Sequence, residues 1–242
     1  MPTPLPEQTE FAPYFRSFQV KFNQDEALMR RIYQLRYQIY CQERGFLPTA
    51  DYPDGLESDP YDAQAAHFCS FNLKNELVGY VRLVRPNGLQ TFPFQSHCPI
   101  LLEGVTLPPP LESGEVSRLM VHPNYRRRRG DTMAGVNLQS EKGTPEHEMR
   151  SQSPQILLSL YRQIYGFSRT DGVRYWYAAM ERYLAQVLIH LDFGFHQIGL
   201  QTDYYGPVSP YLADLYETEK RVGKSHPELL DWMQRPEHPG MK

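Results

Sequence analysis

Two apolar runs stand almost back to back in this chain: residues 67–73 and 77–84 are separated only by Lys74-Asn75-Glu76. Short β-rich runs joined by three polar residues predict an antiparallel hairpin. In the second run Leu77, Gly79, Val81 and Leu83 face one side, while Val78, Tyr80, Arg82 and Val84 face the other. A strand that is apolar on both faces is buried on both, so the sheet has to be covered by other elements. Arg82 is the exception within it. An unpaired buried guanidinium costs on the order of several kcal/mol, so Arg82 requires a carboxylate, several acceptors, or an escape to solvent at the strand end.

Helices to cover the sheet are readable on both sides of the hairpin. Leu28, Ile32, Leu35 and Ile39 recur at helical spacing over residues 25–41, and Gly45 stops that helix. Residues 47–62 are proline-rich and acidic, which predicts a loop. Residues 86–110 carry six prolines and are expected to wander over the surface before a strand resumes at 115–121. Ser153-Pro154 opens a second helix, with Ile156, Leu157, Leu160 and Ile164 on one side, running to about Ser168. A strand at 173–180, a helix at 181–192 closed by Gly194, and a strand at 195–200 complete the pattern. The order helix, hairpin, strand, helix, strand, helix, strand predicts an α/β (α+β) domain with helices on a mostly antiparallel sheet.

Length and charge narrow the organisation. The 242 residues suit one domain over 19–211, with an N-terminal extension at 1–18, a mobile insertion at 131–153, and a C-terminal helical extension and tail at 212–242. Residues 1–13 and 232–242 are polar and proline-rich and are expected to be loosely held. With 25 basic against 28 acidic side chains, overall charge does not favour a nucleic-acid partner. Cys41, Cys69 and Cys98 have neither disulfide parity nor metal-ligand spacing, and the histidines show no metal spacing either, so no metal is expected. No apolar run reaches the ~18 residues that span a bilayer, and the first ten residues lack the features of a secretion signal. A reducing cytoplasm is the expected location.

Several charges remain to be explained. Glu115 and Arg118 flank Val116-Ser117 in the third strand, and three residues apart they point to opposite faces unless a β-bulge intervenes. Without a bulge, the bland reading is an edge strand with one wet face. Arg36 lies on the border of the first helix's apolar stripe, with Tyr40 one turn on, and the acidic loop offers Glu57, Asp59 and Asp62 as counter-charges.

Taken together, Arg36, Tyr40, Phe46, Asp59, Asp62, Arg82 within Gly79-Tyr80-Val81-Arg82-Leu83, and Glu115-Val116-Ser117-Arg118 resemble the signature of the acyl-homoserine-lactone synthases. Val121-His122-Pro123 with its arginine run, and Tyr205-Gly206-Pro207 followed by Pro210-Tyr211, look more like the acyltransferases associated with exosortase and PEP-CTERM systems. N-acyl amino acid synthases are related. The resemblance, spanning about 19–211, implies a GNAT-like fold with a splayed sheet. It also implies transfer of a fatty acyl group from a phosphopantetheine thioester, on acyl carrier protein or CoA, to a small amine or amino acid, with no tightly bound cofactor. In this reading Glu115 is the base or the group that positions the base's water. Arg36, Asp59, Asp62, Arg82 and Arg118 form an electrostatic cluster at the catalytic site. Tyr40, Phe46, Ser117, Leu119 and Val121 line the substrates, and the run Arg126-Arg127-Arg128-Arg129-Gly130 meets the donor's phosphates or an acidic carrier protein. A solvated basic loop is the plainer reading of that run, and a non-catalytic lipid-binding module is the plainer reading of the whole.

Overall fold

The computed structural model describes residues 11–12, 14–86, 91–126 and 153–235. The strands are β1 Phe15–Val20, β2 Ala65–Asn72, β3 Leu77–Val84, β4 Ser113–Val121, β5 Tyr175–Met180, β6 His196–Gln197, β7 Thr202–Asp203 and β8 Pro207–Asp214. The helices are α1 Glu26–Tyr37, α2 Pro93–His97, α3 Ser153–Thr170, α4 Arg182–His190, α5 Leu215–Ser225 and α6 Pro227–Gln234. The sheet runs β1-β2-β3-β4-β5-β8-β6, with β7 also on β8. Every pairing is antiparallel except β4 with β5.

Alternation along the strands sorts side chains between two layers. Phe68, Val81, Leu83, Val116, Trp176 and Ala178 pack beneath α3 to α6. On the opposite face Cys69, Phe71, Tyr80 and Met120 meet Leu28, Met29, Ile32, Leu35 and Ile39 of α1. Further along that face, Phe92 and Phe94 of the α2 segment pack on Tyr177 and Leu212. α1 starts where Asp25 accepts the Leu28 N–H at 3.1 Å, a side-chain N-cap. Its last turn widens into a π-helical stretch, Gln38–Glu43, before Gly45 at φ +63° turns the chain.

The structure departs from the sequence-based reading at several points. β1 was not expected: among the described residues it pairs only with β2, and its apolar pattern is broken by Ser17, whose hydroxyl bonds Ser159 of α3 at 2.8 Å. β8 was hidden by Pro207 and Pro210, residues that ordinarily argue against a strand. The strand expected at 195–200 shrinks to β6. Both domain boundaries need correction, since 18/19 cuts β1 and 211/212 cuts β8. The C-terminal residues are no loose tail up to 235: Leu229, Trp232 and Met233 of α6 are buried in the same core as α3, and Phe11 meets Trp232 at 5.4 Å. Apart from Ser153, which opens α3, the expected insertion at 131–153 lies outside the described residues.

Candidate active site

Three arginines from three elements converge on one acidic loop. Arg36 ends α1, Arg82 sits in β3 and Arg118 in β4, and all are buried. Arg36 Nε donates to Glu57 and Nη1 to Asp62 Oδ1 at 2.6 Å. Arg82 grips Asp59 with two donors, at 2.6 and 2.7 Å, reaches Asp62 Oδ1 at 2.6 Å, and gives Nε to Ser117 Oγ at 2.9 Å. Arg118 Nη2 donates to Glu57 Oε1 at 3.0 Å and Asp59 Oδ2 at 2.9 Å. The loop is braced internally, with the Asp59 N–H on Asp62 Oδ2 at 2.8 Å and the Tyr61 N–H on Asp59 Oδ1 at 2.9 Å.

Three guanidinium groups against three carboxylates make the cluster formally neutral. Burial by itself raises the Glu57 carboxyl, but Arg118 and Arg36 outweigh it and hold the group at about 2. Asp59 is driven well below the carboxylate range in the same way, with Arg82 opposing burial most strongly. Beside them His67 is buried and hydrogen-bonded at both nitrogens, to Tyr80 Oη at 2.7 Å and to the Asp62 carbonyl at 2.9 Å. A carbonyl only accepts, so Nε2 carries the proton and the Tyr80 hydroxyl donates to Nδ1. Burial, opposed by that carbonyl, takes His67 down to about 4.

β4 supplies the rest through an irregularity. Its register with β3 slips between Met120, opposite Tyr80, and Ser117, opposite Arg82, leaving one extra residue on β4. Arg118 occupies φ +54°, a left-handed conformation uncommon outside glycine. This is the bulge that a shared site for Glu115 and Arg118 requires: Ser117 and Arg118 both serve the α1 face, while Val116 and Leu119 turn to the other. β4 pairs with β5 only at Ser113, Gly114 and Glu115, and beyond Glu115 the two strands part. Glu115 stands where they separate. It makes no ion pair among the described residues, accepts the Phe94 N–H of α2 at 2.9 Å, and burial pushes it up to about 8 against the pull of that N–H, Arg82 and Arg118.

Aromatic rings close the site over Arg118. Its guanidinium lies 4.8 Å from the Tyr40 ring and 4.9 Å from Tyr205. Phe46 stands 6.2 Å from Tyr40, and Tyr204 stands 4.5 Å from Tyr205. The resemblance above implies a splayed sheet, and here the splay opens where β4 and β5, paired in parallel over three residues, part beside the bulge. Residues 35–135 match the family model described as an acetyltransferase (GNAT) domain. The chain has a GNAT-like fold. Solved structures agree over most of its length. A CoA-dependent acyl-homoserine lactone synthase, BjaI, solved with SAM and isopentyl-CoA, is 18% identical at TM-score 0.61, covering 93% of this chain and 90% of that one. TofI, in a ternary complex with an inhibitor and MTA, is 15% identical at TM-score 0.60, covering 89% and 96%. The AHL synthase LasI is 14% identical at TM-score 0.57, covering 83% and 89%. Among curated proteins, none matches the sequence.

Within this GNAT-like frame the expected residues divide. Arg36, Asp59, Asp62, Arg82 and Arg118 are brought together, Ser117 bonds Arg82, Tyr40 stands over Arg118, and Phe46 packs near Tyr40. Leu119 and Val121 do not join them: their side chains are buried in the layer beneath α3, so only their backbone can meet a substrate. Arg126 needs correction as a donor-binding cation, because its guanidinium is buried and clamps Glu43 through both terminal nitrogens. Arg127, Arg128, Arg129 and Gly130 lie outside the described residues. Glu57 was visible as a counter-charge but absent from the family pattern, and the structure makes it an equal partner of Arg36 and Arg118. His67, Tyr80, Tyr204 and His97 were missed. A histidine directly opposite Arg82 in the hairpin register was the available signal for His67. Among the described residues no helix is long and apolar enough to cross a membrane, and no three His, Cys, Asp or Glu side chains gather as a metal site.

Proposed function

We propose that the chain is an N-acyltransferase that moves a fatty acyl group from a phosphopantetheine thioester, on CoA or acyl carrier protein, to the amine of an amino acid or similar small acceptor. The observation that carries this reading is the parting of β4 and β5 immediately beyond Glu115, beside the bulge at Arg118. Splayed strands leave backbone N–H groups unpaired, and such groups can hold a pantetheine arm and the oxyanion that forms when an amine attacks the thioester carbonyl. The new C–N bond forms as the C–S bond breaks, and the thiol leaves with a proton.

The neutral ion cluster supports this as a rigid frame: every charge in it already has a partner, so it shapes the acceptor pocket and its loop without claiming the substrate's charge. Glu115 keeps its proton at neutral pH, which favours positioning by hydrogen bonds over proton abstraction. The ligands bound to BjaI, SAM and isopentyl-CoA, support a CoA-type donor. The narrower likeness to exosortase-associated acyltransferases gains from Tyr205, which stands against Arg118. We place the donor's phosphates or an acidic carrier protein at Arg127–Arg129 on sequence grounds, and a donor KM that rises with salt is the check on that.

The neutral cluster suits a non-catalytic lipid-binding module equally well, and turnover separates the two. The deciding experiment is mass spectrometry of lipids from cells expressing the protein, alongside thiol release from acyl-CoA and acyl carrier protein with an amino-acid mixture in vitro. A new N-acyl product is expected. Tight acyl binding with neither product nor thiol release would overturn the enzyme reading.

A further inference from the structure

α2 ends in His97, whose imidazole lies flat on Tyr204, ring centroids 4.0 Å apart and planes 5° apart. Tyr204 meets Tyr205 at 4.5 Å, and Tyr205 caps Arg118 at 4.9 Å. The imidazole therefore belongs to the aromatic wall of the site, and it lies in the field of Arg118 and Asp59. Tyr204, against which it stacks, feels Arg118 and Glu115. α2 ties these together, since Phe94 donates its N–H to Glu115 and His97 follows about one turn later.

An acceptor amine reaches the site at neutral pH as an ammonium ion and cannot attack until it loses a proton. Glu115 holds its own proton there. His67 is buried with both nitrogens engaged. His122 accepts the Asn124 N–H and lies near Arg126 and Glu43. His97 differs from all three: it is exposed, its ring makes no hydrogen bond among the described residues, and burial with Arg118 holds it below the usual histidine range despite Asp59. It is thus unprotonated at neutral pH and open to water, where an accepted proton can leave.

We infer that His97 is the general base that takes the proton from the acceptor's ammonium group, an assignment that rests on the acyl-transfer reading above. One ammonium proton passes to an imidazole nitrogen and on to solvent. The freed amine forms the C–N bond, the C–S bond breaks, and the thiolate takes the second proton from the attacking nitrogen.

The test measures thiol release at saturating amine for wild type, His97→Phe, which keeps a ring on Tyr204, and His97→Ala, which opens room for added imidazole. Both variants are expected to be folded, with donor KM near wild type and turnover down on the order of 10²-fold. Imidazole should restore part of the His97→Ala rate and none of the His97→Phe rate. Substituted imidazoles should restore it in the order of their basicity. A His97→Phe variant within about twofold of wild type overturns the inference and leaves acyl transfer standing. So does a folded His97→Ala variant that no imidazole restores, because a ring needed only as a wall behaves that way. A wild-type protein that releases no thiol with any amine overturns both.

Discussion

Arg82 shows what a buried charge costs and how a structure meets that cost. It is fully buried in β3 and makes four hydrogen bonds, three of them to Asp59 and Asp62. Replacing it removes three bonds to Asp59 and Asp62 and leaves three carboxylates facing two arginines, so Arg82→Met should destabilise by about 3–5 kcal/mol in urea melts. Adding Asp59→Asn should recover part of that loss, and additive effects in the double-mutant cycle would refute the coupling. His67 adds a pH dependence. Its folded pKa, about 4, lies below the unfolded value near 6.5, so the unfolded chain binds a proton first as pH falls. This contribution is fully present above pH 6.5 and is lost between 6.5 and 4, a drop of about 3 kcal/mol at most. His67→Phe should flatten that slope, and an unchanged slope would assign the acid sensitivity to other groups. Glu115 shifts the other way, ionising only near pH 8. If its neutral form positions the acceptor, Glu115→Gln keeps turnover within about tenfold at pH 7 and removes an inflection near pH 8, whereas a loss beyond 10²-fold at pH 7 would make it the base.

At the scale of elements, the site is assembled by segments that carry no regular pattern of their own. The acidic loop between α1 and β2 is bound by three arginines. α2 is placed by the 98–102 segment, which bonds β6 and its neighbours through the Leu102 N–H on the Ile198 carbonyl at 2.9 Å and the Leu200 N–H on the Ile100 carbonyl at 3.0 Å. Gly199 lets these backbones approach: a Cβ there would stand 2.7 Å from the Ile100 carbonyl oxygen and 2.6 Å from Pro210 Cγ. Gly199→Ala is therefore expected to push this segment away, cost about 1–3 kcal/mol, and lower acyl transfer through α2 without touching the cluster. Wild-type stability and turnover in that variant would show that the segment yields without moving α2.

For the whole molecule, the sheet and its two layers form one cooperative body that includes the C-terminal helices. Val222, Leu229, Trp232 and Met233 share the core of α3 and the sheet, and Thr218 donates to the Phe193 carbonyl at 2.7 Å. A chain truncated after residue 211 loses the last three residues of β8 as well as α5 and α6, and should lack a cooperative thermal transition. The gentler Trp232→Ala should cost about 3–5 kcal/mol by leaving a cavity. A truncated chain that melts cooperatively would restore the shorter domain read from sequence.

What the sequence determined by itself is what depends on local periodicity and on residue chemistry. Helical spacing located α1, α3 and α4, two short apolar runs around Lys74-Asn75-Glu76 located the β2-β3 hairpin, the cost of an unpaired buried guanidinium called for a partner to Arg82, and the family resemblance grouped Arg36, Arg82 and Arg118 in one charged set. Only the tertiary structure decided how that set closes. The bulge depends on β3 and β4 meeting in register, Glu57 becomes a partner only when α1 and β4 both reach its loop, and Arg126 is claimed by a glutamate 83 residues away. β1 and β8 were illegible for the same reason. Serine and proline contradict a strand locally, and what holds these segments extended is pairing with strands far off in the chain, an energy no local pattern encodes.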